Sequence, residues 1–376
     1  LFETMRGEVI KDMWQSEEMK ESLDLCLACK GCLGDCPVNV DMATYKSEFL
    51  SHYYEHKRRP RQAYAFGWID RWARLAAYAP KMVNWVTQTP GLSKLAKNMA
   101  GMPQQRRIPQ FAPQTFLHWF KQRASVNQHK PPVILWPDTF NNNFHPETAK
   151  AAVSVLEAAG FHVRIPVSHV CCGRPLYDFG MLDQAKKQLR RILTDMQQDI
   201  NDGVPIVGLE PACVAVFRDE LMNLFPGDEV AKRLSRQTYF FSEFLLKKSP
   251  QFRYPQLARK VMLHGHCHQK ALIKMKDEET VLENMDADLE SLDSGCCGMA
   301  GSFGFDKHKY DVSIQVGELV LLPAVRNAKP ETLIVADGYS CREQIAQTTS
   351  RHALHTAEVI HMALQNSAAP SSKEPG

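Results

Sequence analysis

Cys171-Cys172-Gly173, met again as Cys296-Cys297-Gly298, is the stretch on which the reading of this chain turns. Ahead of the first triplet stand a short apolar run, Val133-Ile-Leu-Trp136, a helical period over Glu147 to Ala159 that stops at Gly160, and a second run from Phe161 to Val167. Behind it come a helical period from about Met181 to Ile200 and the run Pro205-Ile-Val-Gly-Leu209, which leads into Glu210-Pro-Ala-Cys213. The second triplet has similar surroundings. Lys260-Val-Met-Leu263 precedes it, and a helical period near Val312 to Val325 and the run Thr332-Leu-Ile-Val-Ala336 follow, reaching Asp337-Gly-Tyr-Ser-Cys341. The offset is 125 residues at the paired cysteines and 128 at the last one, so the segment is an internal duplication. Short apolar runs alternating with helical periods predict two α/β units. In such sheets ligands gather at the carboxyl ends of strands, where all these cysteines fall. The copies are expected to face each other and pool their thiols.

The two sets of thiols are unequal. Copy one offers Cys171, Cys172 and Cys213, with Asp138 read at the place of Cys267; copy two offers Cys267, Cys296, Cys297 and Cys341 and alone can complete a four-thiolate set. A second cluster or a group of redox thiols is expected there, against the alternative that these are core cysteines. His264, His266 and His268 alternate with Gly265 and Cys267 along what reads as a strand end. Three imidazoles are therefore expected on one face with the thiol on the other, either to bind metal or to tune a cluster through hydrogen bonds, against the alternative that they are simply satisfied near a polar edge. Gly298-Met-Ala-Gly301-Ser-Phe-Gly304 lacks the strand-to-helix phosphate fingerprint and reads as backbone brought close to a cofactor.

Nearer the amino end, Cys26-Leu-Ala-Cys29-Lys-Gly-Cys32-Leu-Gly-Asp-Cys36-Pro37 has the spacing of a bacterial-type iron–sulfur run. A tight loop with two residues between thiols can supply three corners of a cubane, Gly31 and Gly34 suit close backbone approach, and Pro37 stops a helix from running on. A disulfide, a structural zinc or reduced thiols are the alternatives, but zinc usually takes two close pairs split by a longer loop. Ser16 and Asp41 are placed to cap helices on either side, with Met19, Leu23 and Leu25, then Met42, Tyr45 and Phe49, at helical spacing.

Between Lys57 and Arg123 lie thirteen Lys and Arg against one acid, Asp70, a charge of +12; the rest of the chain holds 32 basic and 41 acidic residues, a charge of −9. This cationic strap carries Tyr64, Phe66, Trp68, Trp72, Tyr78, Trp85, Phe111, Phe116, Trp119 and Phe120 and is chopped by prolines at 60, 80, 90, 103, 109 and 113. It is expected to lie over the other domains or a partner domain; contact with an anionic membrane surface is the second reading. Aromatics among cations also suit single-stranded nucleic acid, yet no nucleic-acid fold signature accompanies them, and no such partner is expected. Eleven cysteines in clusters argue against a disulfide framework and for a reducing, cytoplasmic setting, on the inner face of the membrane if the strap touches it. No run of 18 apolar residues exists, and no flavin, nicotinamide, P-loop or Ser-His-acid fingerprint is found.

Taken with Asp-Thr-Phe-Asn-Asn at 138–142, Cys-Cys-Gly-Arg-Pro-Leu-Tyr at 171–177 and His-Gly-His-Cys-His-Gln-Lys at 264–270, these motifs resemble the iron–sulfur part of FAD-linked 2-hydroxyacid dehydrogenases. That group includes the D-2-hydroxyglutarate and D-lactate dehydrogenases and the iron–sulfur subunit of glycolate oxidase; the Cys-Cys-Gly units also look like those of heterodisulfide reductase. The resemblance covers about residues 20 to 365. It implies a 4Fe-4S cluster on Cys26, Cys29, Cys32 and Cys36, fed one electron at a time by FAD in an upstream domain or partner subunit and drained by a quinone or other acceptor. The alternative is a thiol or disulfide reductase working through the Cys-Cys-Gly units. Glu210 and Gly338 stand where heterodisulfide reductase would carry a further thiol, which departs from that pattern. The expected fold is α+β and multidomain: a helical ferredoxin-like domain (1–56), the basic aromatic linker (57–130), two duplicated Cys-Cys-Gly α/β domains (131–255 and 256–365) and a disordered tail (366–376). A start at Leu1 rather than Met suggests a piece of a longer polypeptide.

Overall fold

A computed structural model describes residues 2–168 and 170–368. Two parallel four-stranded sheets carry the duplicated α/β plan. Strands β1 (Pro132–Trp136), β2 (His162–Arg164), β3 (Ile206–Gly208) and β4 (Thr238–Phe240) lie in the order β2-β1-β3-β4. Strands β5 (Lys260–Leu263), β6 (Asp288–Ser291), β7 (Leu333–Val335) and β8 (Ala353–Leu354) lie as β6-β5-β7-β8. The inner strands are buried on both faces, which is why they read as unbroken apolar runs. Strand β6 has no such run: Asp-Leu-Glu-Ser lies at an exposed edge.

The units are joined as a pseudo-twofold pair. Helix Pro146–Ala158, which follows β1, packs on Thr356–Ala368 after β8, while Phe241–Lys248 after β4 packs on Lys276–Asn284 after β5. One core therefore runs through both, from Val133, Leu135 and Leu156 to Val261, Leu282 and Ile360. At a second junction Phe140 stacks on Tyr339 with ring centroids 4.5 Å apart, and Arg342 Nη2 donates to Asn141 Oδ1 at 3.0 Å. The carboxyl ends of both sheets' strands are thereby turned towards one another. Helix Thr356–Ala368 takes in the first residues of the expected tail; 369–376 lie outside the described residues.

Amino-terminal to the sheets, Ser16 Oγ accepts from the Met19 N–H, and Asp41 Oδ1 from Ala43 and Thr44, so both capping expectations are met. Leu23, Phe49, Leu50 and Tyr53 form the small core here, whereas Leu25 and Tyr45 point outward. The strap's near end is fixed by Arg59 donating to the Phe179 and Gly180 carbonyls, and its far part by the buried Arg106 donating to Gly304 O at 2.9 Å and Ser313 Oγ at 3.0 Å. Between them, helices Pro80–Gln88 and Leu92–Ala100 leave Met82, Trp85, Leu95 and Met99 exposed. Among the described residues no helix is long and apolar enough to cross a membrane.

Candidate functional site

The loop with Cys26, Cys29 and Cys32 sits where the two units meet. Its left-handed turns come from Ala28 and Lys30, at φ 52° and 61°, while Gly31 makes the close backbone approach expected of it, with its N–H at the Cys29 sulfur. Non-glycine residues in left-handed conformations cost about 1–3 kcal/mol each and persist only where neighbours hold them. Here the neighbours are identifiable. The Ala28 carbonyl accepts from Arg174 Nη2 at 3.0 Å and lies 2.9 Å from His268 Nε2. Lys30 is fully buried, with Nζ 2.5 Å from Asp41 and 3.2 Å from Glu220 and also bonded to Asp219. Burial works against its charge, but Glu220 and Asp219 outweigh that and hold the ammonium protonated well above the usual lysine range. Copy one thus grips the loop through Arg174, Asp219 and Glu220, and copy two through His268.

The three thiols fit a cluster. Burial, then the neighbouring Cys267, and more weakly Cys26 and Cys32, push the Cys29 thiol up to about 11, which puts these sulfurs close around Cys29. Met42 N–H points at Cys32 Sγ at 3.4 Å, the kind of donor that tunes a cluster sulfur. Cys36 is held differently. Helix Gly31–Asp35 ends on it, its sulfur takes the N–H groups of Val40, Val38 and Asn39, which lower its pKa, and Pro37, Val38 and Asn39 around it are exposed. Cys267 instead opens helix Cys267–Ile273, which packs on helix Gly31–Asp35.

The histidines do not share a face. Strand β5 ends at Leu263, so His264 to His266 form a turn and alternation no longer applies. His264 Nδ1 is 2.7 Å from Ser294 Oγ; His266 caps the next helix through the His268 N–H; His268 reaches the cluster loop. Burial holds His266 neutral, with its pKa down to about 4, and pushes His268 well below the ordinary histidine range as well. Asp138 likewise caps helix Thr139–Asn143, accepting from Phe140 and Asn141, with its pKa raised by burial. Superposing the two caps pairs Asp138 with His266, so Thr139, one position on from the sequence pairing, is the counterpart of Cys267.

Within copy one Cys172 Sγ lies 2.9 Å from Cys213 Sγ. Cys171 is raised by its hydrogen bond to Cys172 and by burial; Cys213, although drawn down by its bond with Cys172, is pushed up to about 12 by burial and the charge of Asp138. Copy two differs: hydrogen bonds from Cys296 and Cys341 overcome burial and drive Cys297 well below the ordinary thiol range. Both triplet glycines are left-handed, at φ 88°, but a Cβ on Gly298 would drive into the Ser313 carbonyl, so its close approach is to helix Tyr310–Glu318 and not to a cofactor.

An apolar cavity of about 170 Å³ separates the copies. Cys29, Cys171, Cys172, Cys213 and Cys267 form its thiol wall, and Phe66, Ile69, Met102 and Phe111 of the strap close it. Pooling of thiols is thus realised in part, since Cys296, Cys297 and Cys341 are not in that wall. Sequence reasoning missed Glu210, the buried acid of the cavity, whose carboxylate accepts from Tyr339 N–H of the other copy at 2.8 Å. It also missed Lys30, Arg174 and Glu220; a lysine between two ligand-spaced cysteines was the available signal.

Residues 138–218, the first copy, match the Cysteine-rich domain, CCG. The chain as a whole is similar to oxidoreductases. It is 27% identical to the D-2-hydroxyglutarate dehydrogenase of Pseudomonas putida over 92% of its own length and 34% of that protein's, so it spans about a third of the curated dehydrogenase it matches. It is 28% identical to a subunit of the anaerobic glycerol-3-phosphate dehydrogenase of Escherichia coli, covering 76% of this chain and 73% of that one. Lactate utilization protein A of Bacillus subtilis is 28% identical over 58% of this chain and 94% of its own.

Proposed function

We propose that this chain is the electron-transfer portion of an FAD-linked D-2-hydroxyacid dehydrogenase. Its amino-terminal helices and loop act as a ferredoxin-like domain with a 4Fe-4S cluster on Cys26, Cys29 and Cys32. The observation that carries the reading is the crowding of those three thiols in a loop strained into shape and clamped by both copies. When bound, the cluster supplies one-electron transfer between a flavin in a partner domain and an acceptor. The protein's own residues fix the loop: Lys30 and Arg174 anchor it through ion pairs with Asp41, Asp178, Asp219 and Glu220, and the neutral His268 holds Ala28.

The apolar cavity against Cys29 and Cys267 supports a quinone-class acceptor, since a planar apolar ring suits walls of Phe and Met beside a redox centre. The exposed Trp85, Met82, Leu95 and Met99 among the strap's cations support a peripheral contact with an anionic membrane that would deliver it.

Iron and acid-labile sulfide counting on the anaerobically purified protein tests the cluster, and paramagnetic resonance after reduction reports its type. The absence of iron ends the proposal. In the full flavoprotein Cys29→Ser should abolish transfer to an external acceptor while substrate still bleaches the flavin; loss of both would break the proposed order. Comparing Cys36→Ser with Cys267→Ser identifies the fourth thiolate. The position of Cys267 leads us to expect that it, rather than Cys36, converts the resonance to that of a three-iron cluster.

A further inference from the structure

His264, Cys297 and Cys341 are all buried, and their ligand atoms lie within 4.8 Å of one another. Three chain segments meet there: the end of β5, the turn after β6 and the first turn of helix Tyr339–Thr348. His264 is oriented as a metal ligand is. One ring nitrogen, Nδ1, is fixed by Ser294 Oγ at 2.7 Å; the other, Nε2, is buried without a hydrogen-bond partner, and the ring lies beside Cys297. A hydroxyl on the far nitrogen sets tautomer and ring plane, the usual support for a metal-bound imidazole. Cys296, which interacts with Cys267 and then with Cys297, is the adjacent thiol from which a fourth donor would come.

The spacing decides what the set can hold. Four ligands on one tetrahedral ion, with bonds of about 2.0–2.3 Å, stand roughly 3.3–3.8 Å apart. Thiolates at the corners of a cubane each hold a different iron and stand wider. The three donors, all within 4.8 Å of one another, need only a small inward movement to share one ion, and one of them is nitrogen. We propose that the second Cys-Cys-Gly unit holds a single tetrahedral ion of the zinc class through His264, Cys297 and Cys341, with Cys296 closing the set, rather than a four-thiolate iron–sulfur cluster. Each thiol binds as thiolate and gives up its proton. Cys267 is not a ligand of this ion; it lies between Cys296 on one side and Cys29 on the other. The ion staples three segments just beyond the paired ends of β5, β6 and β7. The first copy has Trp136 in the place of His264 and so lacks this donor set.

The test is metal analysis of the full chain expressed with excess iron and purified without oxygen. About one zinc per chain should accompany the iron, and the zinc absorption edge should show one nitrogen and about three sulfur neighbours. His264→Ala and Cys341→Ser should each lose the zinc and lower the melting temperature while the reduced resonance of the amino-terminal cluster persists. Should either variant fail to fold, the edge spectrum of the unaltered protein still decides. An all-sulfur or iron-filled site, or no zinc beside a full iron count, overturns the proposal. These readouts are independent of the cluster on Cys26, Cys29 and Cys32, on which the proposed electron-transfer function rests, so either idea can fail alone.

Discussion

In the first α/β unit Pro137 and Asp138 follow β1, and the charged side chains Arg174, Asp219 and Glu220 reach out to the cluster loop. In the second unit His264, Gly265 and His266 follow β5, and the loop is met by the neutral His268 and the thiol Cys267. The same sheet order thus carries two kinds of fastening, ion pairs on one side and sulfur and imidazole on the other. Duplication lets each copy specialise because the strand ends are fixed by the sheet, while residues just beyond them are free to change. The cavity between the copies inherits both characters.

The largest expected effect tests the charged side. Replacing Lys30 with Met leaves Asp41, Asp219 and the fully buried Glu220 without their shared cation, and breaking a buried pair from one side costs roughly 3–5 kcal/mol. The single neutral bond from His268 to Ala28 contributes only about 1 kcal/mol. Urea unfolding of Lys30→Met should show a clearly lowered midpoint with an unchanged slope. A shift under about 1 kcal/mol would mean that copy one does not anchor the loop by charge.

A second comparison uses the two triplet glycines, which share one φ and differ in surroundings. Gly173→Ala meets ordinary contacts near Gln188 and Ala185, so only the left-handed backbone is penalised, about 1–2 kcal/mol. Gly298→Ala adds a collision with the Ser313 carbonyl and should cost roughly 3 kcal/mol or more. Equal losses in thermal melts would show that helix Tyr310–Glu318 gives way freely.

The sequence made the sheets legible wherever a strand was buried on both faces. Strands β1, β3, β5 and β7 appear as apolar runs, and the repeat offset locates their turns. Strand β6 was invisible because its edge position asks for no apolar residues, and β4 and β8, also edge strands, lack the aliphatic run that marks the inner strands. The site was legible as cysteines and illegible as charges. Lys30, Asp219 and Glu220 look like residues of a solvated surface until the fold brings positions 30 and 220 together. The alternation rule failed at His264 to His268 for a related reason, since periodicity describes a strand and the strand stops at Leu263.

The smallest expected effect concerns the cavity's acid and again separates the copies. Glu210 caps a helix in copy one; its counterpart Gly338 in copy two carries no carboxyl and packs against His266. Burial, and the charge of Asp138 after it, raise Glu210 to about 7, so the folded protein holds a proton that the unfolded chain releases near 4.5. Stability from this group is therefore fully present below about 4.5 and falls as pH rises towards 7, a loss on the order of 2 kcal/mol that levels off above. Glu210→Gln keeps the shape and the stronger bond from Tyr339 N–H while removing the titration. The difference in unfolding free energy between pH 5 and pH 8 should shrink in the variant by that amount. If it does not, the proton is not held at Glu210, and a quinone in the cavity would have to draw its protons from elsewhere.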